Sequence, residues 1–205
     1  IGQAVQDILT TNVPKNAFMM ETDTVKADSL TITTGGDAVN EAIILSRLGN
    51  KSSVVVRLDN RNVGNMIYQE LKDENVDVSL VSRQDDCENF TSMIFIHPDG
   101  DHDFIVGPGK NYMLSRSDVD FSVFSKARAV SAGSLFTLGE LDTNGIEEIF
   151  KIAQDAGAYT FADANFDLKG IGPDAIKGVY PYTDYIIPSL NEAMYMTGKK
   201  NVDDI

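Results

Sequence analysis

The chain has one cysteine, Cys87, among 205 residues, so no internal disulfide can staple it. A lone thiol of this kind reads as an inert, partly buried side chain, and the scarcity of cysteine favours a reducing cytoplasm. No apolar run approaches the ~18 to 20 residues that a membrane span needs. Nor does the opening stretch, Ile1 to Asn12, show the basic start and apolar core of a signal peptide. Positive charge is also scarce: 17 Lys and Arg stand against 31 Asp and Glu, a net charge of −14. That balance opposes any partner held by its phosphate backbone, so neither nucleic acid nor membrane is expected to bind. An anionic small substrate stays open, because a local basic or backbone-amide site can override the global field. The two glycine-rich phosphate fingerprints, G-x-x-x-x-G-K-[ST] and G-x-G-x-x-G, are absent, which disfavours a nicotinamide-binding domain.

What is present reads as one well-buried domain: 42% hydrophobic and 23% charged residues, with no repeat or low-complexity segment. Short β-branched runs alternate with stretches of helical period. Strands are expected at Ser53–Val56, Val76–Leu80, Ala129–Ala132, Tyr159–Ala162 and Tyr185–Ile187. Helices are expected at Val63–Lys72, Asp142–Ala156, Asp174–Val179 and Asn191–Thr197, the last closed by Gly198. Such alternation predicts an α/β core, a mostly parallel sheet covered on both faces. Two regions break the rhythm. Thr91–Ile96 and His102–Val106 flank the turn Pro98-Asp99-Gly100 and should pair as an antiparallel hairpin. Val13–Ile32 carries short β-type pieces, Ala17–Met20 and Thr31–Thr34, that suit either a small separate sheet or two edge strands of the main one.

The most informative stretch is Gly35-Gly36-Asp37-Ala38-Val39-Asn40, leading into a helix with apolar Val39, Ala42, Ile43, Leu45 and Leu48 and closed by Gly49. Adjacent glycines permit positive φ and leave no Cβ between backbone and ligand. The helix then begins with free N–H groups facing whatever lies over the turn, and the Asn40 amide can both donate to and accept from hydroxyls. On chemistry alone this is a ligand-binding turn or an ordinary tight turn with a helix cap.

The spacing Gly-Gly-x3-Asn-x-Ala-x5-Leu-Gly resembles, at every defined position, the first signature of the PfkB (ribokinase-like) carbohydrate kinases. Further matches follow in order. Gly2 and Asp7 resemble the family's opening strand, whose aspartate holds sugar hydroxyls. Gly64 resembles the last glycine of its G-x-D-x-x-G turn, although Asp59 and Arg61 stand where Gly and Asp are usual. Asp99-Gly100 is similar to its lid turn, Gly109-Lys110-Asn111 with Leu114 to its G-A-N-x-x-L stretch, and Asp163-Ala164-Asn165 to its D-x-N. Pro188 to Ala193 with Thr197-Gly198 resembles its P-N-x-x-E-A…T-G block, with Ser189 replacing the asparagine. Asp167 reverses the charge of an arginine common in fructokinase-like members.

The resemblance implies a ribokinase-like three-layer α/β/α, Rossmann-like domain over residues 1–205 with a small β-sheet lid within about 8–34 and 91–106. It implies ATP- and Mg2+-dependent phosphorylation of a primary hydroxyl of a small-molecule sugar. Asp7, Gly35, Gly36, Asn40, Phe104 and Asn111 would then bind the sugar, and Asp163, Asn165 and Glu192 would serve the phosphates and magnesium without direct metal ligation. No catalytic residue falls in this chain. The family's base lies in a C-terminal G-A-G-D block, so the chain reads as C-terminally incomplete. Asp37 could bond sugar hydroxyls and would repel an acidic sugar. A homodimer through the lid is also implied. Two other readings stand beside this one: a nucleoside kinase of the same fold, with Phe18, Phe104 or Tyr112 stacking on a base, and a non-catalytic sugar binder. His97 and His102, with Asp99, Asp101 and Asp103 nearby, read as an exposed turn rather than a metal site.

Overall fold

The computed structural model describes residues 1–21 and 24–205, with the Phe18 side chain also outside the description. Four strands, β1 (Val5–Thr11), β2 (Ser29–Gly35), β5 (Thr91–Ile96) and β6 (His102–Val106), form one sheet in the order β2-β1-β5-β6. A parallel pair, β3 (Arg57–Asp59) and β4 (Ser82–Gln84), and a parallel trio, β7 (Ala129–Leu135), β8 (Tyr159–Ala164) and β9 (Tyr185–Ile186), make up the rest. The first two residues stitch these together: Gly2 N–H donates to the Val55 carbonyl (3.2 Å) and Gly133 N–H to the Ile1 carbonyl (3.0 Å). Among the described residues the α-helices are α1 (Asp37–Arg47), α2 (Asn62–Asp73), α3 (Glu140–Asn144), α4 (Ile146–Asp155) and α5 (Leu190–Thr197).

The expected strand at Ser53–Val56 is displaced: Ser53 makes an isolated bridge to Asp77, strand β3 begins at Arg57, and Val54-Val55-Val56 is the buried apolar run that leads into it. Val54, Val56 and Leu58 pack with α1 and α2 through Val39, Ile43, Ile67 and Leu71. Val55 points the other way, into a second core with Ile146, Ile149 and Phe150 of α4. Successive side chains leave a strand on opposite faces, so both helical layers draw on one run. The fold is the three-layer α/β/α arrangement expected.

Local details differ from the sequence reading where a single side chain or turn overrides the pattern. Ala17–Met19 is one turn of 3-10 helix, because Pro14 starts a turn whose carbonyl takes the Ala17 N–H (2.9 Å). The segment Val76–Leu80 is no strand: only Asp77 bridges to Ser53, and β4 begins at Ser82. The single helix expected over 142–156 is two, α3 and α4, broken at Gly145, where a Cβ would lie 2.4 Å from the Leu141 side chain. Residues 173–176 form a 3-10 turn led by Pro173 instead of a helix to Val179. The hairpin β5–β6 pairs as expected, and Thr31–Thr34 falls within β2, which belongs with the hairpin in the separate sheet. Among the described residues no helix is long and apolar enough to cross a membrane.

His97 corrects the expectation of an exposed turn. It is buried, with Nδ1 2.7 Å from the Val13 carbonyl and Nε2 3.1 Å from Asp103. Lys15 ties the same loop to the turn by pairing with Asp99 and Asp101, at 2.9 Å each. Both ring nitrogens of His97 face acceptors, so its pKa lies above the ordinary histidine range. The Val13 carbonyl is the largest cause and, against the pull of burial, Asp103 adds to it. A raised folded value means the contribution is complete below pH ~6.5. It is lost as pH rises through the folded value. Amide exchange across 97–106 should therefore quicken between pH 6.5 and 8.5 beyond the intrinsic effect, and Asp103→Asn should flatten that response. Protection that ignores pH would contradict the assignment.

Candidate active site

The site grows from a close approach of backbone to side chain. Asp7 pairs across β1–β2 with Thr33, two residues before Gly35. A Cβ on Gly35 would lie 1.9 Å from Asp7 Oδ2, so the carboxylate rests where any other residue's side chain would be. Gly36 has φ 91°, and a Cβ there would meet the Gln3 carbonyl at 2.5 Å. Only glycine satisfies both demands. Helix α1 begins immediately after, with no side-chain cap at Gly36, and its first turn wedges between the start of the chain and β7. Cβ atoms at Gly2 and Gly133 would lie 2.9 Å from Ala38 Cβ and 2.7 Å from Asp37 Cβ. Asp37 accepts a hydrogen bond from Ser134 Oγ, and Asn40 stands exposed one turn further along α1.

A second group of acids joins this turn from across the sheet. Asp163 lies near the C-terminal end of β8, and its carboxyl is pushed up to about 6 by burial first, then by Asp37, Glu192 and Glu41. Asp7 is also raised, by burial and by Asp37. Asp7, Asp37, Glu41, Asp163 and Glu192 thus share one negative field at the carboxyl ends of β7 and β8, where open α/β sheets place ligands. Ser189 makes a capping box: Ser189 N–H donates to Glu192 Oε2 (2.7 Å), and Glu192 N–H donates to Ser189 Oγ (3.4 Å). The substituted serine therefore fixes the start of α5 and the direction of Glu192. Asn165 holds the turn after β8, its N–H on the Leu135 carbonyl (3.0 Å) and its Oδ1 taking the Phe166 N–H (2.7 Å).

The sequence profile of the pfkB family carbohydrate kinases matches residues 1–205. The chain belongs to the pfkB carbohydrate kinase family. Among curated relatives, a probable fructokinase-4 from Arabidopsis thaliana is 25% identical over 177 residues, covering 83% of this chain and 54% of that protein. A ribokinase from Dictyostelium discoideum is 26% identical over 134 residues, covering 65% of this chain and 41% of its own length. The chain spans about half the length of the curated relatives it matches. The solved fructokinase of Halothermothrix orenii superposes with a TM-score of 0.76 at 18% identity, over 99% of this chain and 71% of that one. Arabidopsis thaliana ribokinase, solved with ribose and ATP, gives 0.68 at 19% identity, over 98% and 62%. At these identities the structures speak for the fold.

Not every residue matched to the family signature joins the cluster. Phe104 is on the same face of the four-stranded sheet as Asp7, in the row Leu9–Ile94–Phe104, but on the outermost strand. Its ring is 55% exposed and meets His102 edge-on. Asn111, with φ 48°, donates its amide to Asp86, and no contact among the described residues ties it to Asp7. Tyr112 packs edge-on against Phe90, and Phe18 lies outside the described side chains. The departure at Asp59 has a structural explanation. Its Oδ1 takes the N–H groups of Arg61 (2.7 Å) and Gly64 (3.2 Å), while Oδ2 takes that of Asn89 (2.9 Å). The turn keeps its shape because a carboxylate caps it from within. Among the described residues no three His, Cys, Asp or Glu side chains come together as a metal site.

The sequence reading missed Asp142 and the Ser134–Gly139 loop, which takes in the irregular last two residues of β7 and the turn after them. Ser134 and Phe136 adopt left-handed φ of 70° and 75°, and the buried Asp142 carboxylate takes the N–H groups of Phe136 and Leu138, both at 2.8 Å. The only trace in the sequence is an acid near the start of an expected helix.

Because the folded value for Asp163 exceeds its unfolded one, its contribution is present below pH ~4. That contribution is lost as pH rises through about 6. Asp163→Asn should therefore raise stability at pH 7.5 by about 1 kcal/mol, allowing for solvent screening, and leave it nearly unchanged at pH 4. Urea denaturation at the two pH values checks this; an equal gain at both would mean that charge is not the cause.

Proposed function

We propose that the protein to which this chain belongs transfers the γ-phosphoryl group of ATP to a primary hydroxyl of a sugar or sugar-like polyol, and that this chain supplies the sugar-binding side. The observation that carries the reading is Asp7 lying against Gly35, beside the uncapped start of α1. An ionised carboxylate can accept two vicinal hydroxyls with charge-assisted bonds, and backbone N–H groups opposite it are free to donate. Asn40 is exposed on the same helix and extends that surface. Phe104 lies on the Asp7 face of the four-stranded sheet, which we read as a lid, and would meet the sugar when that sheet closes over it, with Asn111 then at its border. Support comes from the fructokinase and ribokinase relatives, and from neighbours whose structures carry ATP.

Asp163, Asn165 and Glu192 serve the phosphates. Their donor set fits magnesium held through water: hard carboxylate oxygens in a field with an excess of negative charge. Magnesium supplies charge neutralisation to the transferring phosphoryl group. We assign no catalytic base within residues 1–205. The net charge of −14 argues against nucleic acid as a partner, and the lone buried Cys87 suits the cytoplasm.

An ATP-dependent phosphorylation screen of the whole protein against sugars and nucleosides tests this. One sugar should turn over, and Asp7→Ala should lower kcat/KM at least about a hundredfold. Sugar binding without any turnover would support the non-catalytic binder, a reading that Asp167 favours. Where fructokinase-like members carry arginine, Asp167 takes the Ile171 and Gly172 N–H groups and the Tyr195 hydroxyl. Preference for a nucleoside would move the assignment within the fold.

The lid is also the surface we assign to a homodimer. On its face opposite Asp7, Ile32, Ile8, Met93 and Ile105 stand side by side across all four strands. Ile32, Met93 and Ile105 are exposed, as is the neighbouring Leu30. Such an apolar face, with open strand edges at β2 and β6, favours burial against a second copy. Light scattering should give twice the chain mass, and Ile32→Lys should halve it; a monomeric wild type would remove the dimer.

A further inference from the structure

The Ser134–Gly139 loop lies at the crossing point of the segments that carry the site. Ser134 Oγ donates to Asp37 at the head of α1. The Thr137 carbonyl takes the Gln3 side-chain amide (2.7 Å), just ahead of the strand that bears Asp7. The Leu135 carbonyl takes the Asn165 N–H (3.0 Å) at the end of β8. The Phe136 ring meets Tyr195 of α5 edge-on at 5.7 Å, one turn from Glu192. Inside the loop, Thr137 folds back on Ser134, with its hydroxyl 2.7 Å from the Ser134 carbonyl.

The loop's shape is not one the chain adopts by itself. Left-handed φ is disfavoured for serine and more so for a buried phenylalanine, and such residues persist only where surroundings over-determine them. Asp142 provides that constraint. Its carboxylate is buried, and its two oxygens reach back beyond its own helix start to the Phe136 and Leu138 N–H groups. Burial holds its carboxyl at about 6, so at neutral pH it is ionised and both oxygens accept. An amide side chain could accept with one oxygen only, and would turn an N–H toward the other N–H.

We propose that Asp142 is the positioning residue of the candidate active site, setting the Ser134–Gly139 loop that seats α1, β1, β8 and α5 against one another. The kinase assignment gives the seat its purpose, so that part rests on the function proposed above; the seating itself does not.

Amide hydrogen exchange on the chain and on Asp142→Asn, at pH 7.5 and a temperature where circular dichroism shows both folded, reads it directly. Exchange should accelerate at least tenfold in peptides spanning 35–42, 133–139, 161–166 and 190–197, and stay unchanged in the 91–106 hairpin. Acceleration confined to 133–139 would overturn the proposal, as would equal acceleration everywhere including the hairpin. Thr137→Val, which removes the loop's internal hydroxyl bond and spares Asp142, is the companion should Asp142→Asn not fold; the same outcomes apply. In the kinase assay of the whole protein, Asp142→Asn should raise the sugar KM and lower kcat, with kcat/KM down at least tenfold. Unchanged constants in a folded variant would overturn the proposal too. A wild type that phosphorylates nothing would sink the kinase reading while leaving the exchange result to stand.

Discussion

The first turn of α1 approaches residues 2–4, just ahead of β1, and strand β7 so closely that no Cβ fits at Gly2, Gly36 or Gly133. This contact sets the rest of the site. It brings uncapped backbone N–H groups beside Asp7, and it places Asp37 within reach of Ser134 and the field of Asp163. Adding a methyl group at any of these glycines would push the helix off the strands, because close-packed interiors yield little. The glycines therefore act through the space they leave open.

Electrostatically the site holds more negative charge than it neutralises. Asp7 and Asp163 are both raised by burial first and by neighbouring carboxylates second. A protein tolerates such a cluster when packing elsewhere is strong, and here two apolar cores flank the sheet. Strain is concentrated in the same place. Two left-handed non-glycine residues, Ser134 and Phe136, lie next to the acids, so the least relaxed backbone and the least comfortable charges adjoin.

Much of this was legible in residue order. Val54-Val55-Val56 announced a buried run, with the parallel strand itself starting one residue later at Arg57, Pro98-Asp99-Gly100 a hairpin, and Gly35-Gly36 a turn feeding a helix, each through a local rule. The misreadings share another cause. Helical period ran through Gly145 without a break, yet Leu141 occupies the space beside it. His97 looked like part of an exposed tip because nothing local shows that Val13 and Asp103 enclose it. Asp59 looked like a fault in a turn until Asn89, thirty positions on, appeared as its partner.

By itself the sequence determined the α/β class, the hairpin, the glycine turn and the identities of the acids, because period, turn chemistry and spacing act over a few residues. Tertiary structure alone decided which acids share a field, that Phe104 lies on the Asp7 face but at its outer edge, and that Asn111 turns to Asp86. It also decided the role of Asp142, whose chemistry depends on two amides that only a strained loop turns toward it. Burial and long-range contact set pKa, orientation and strain, and neither is written in the neighbours of a residue along the chain.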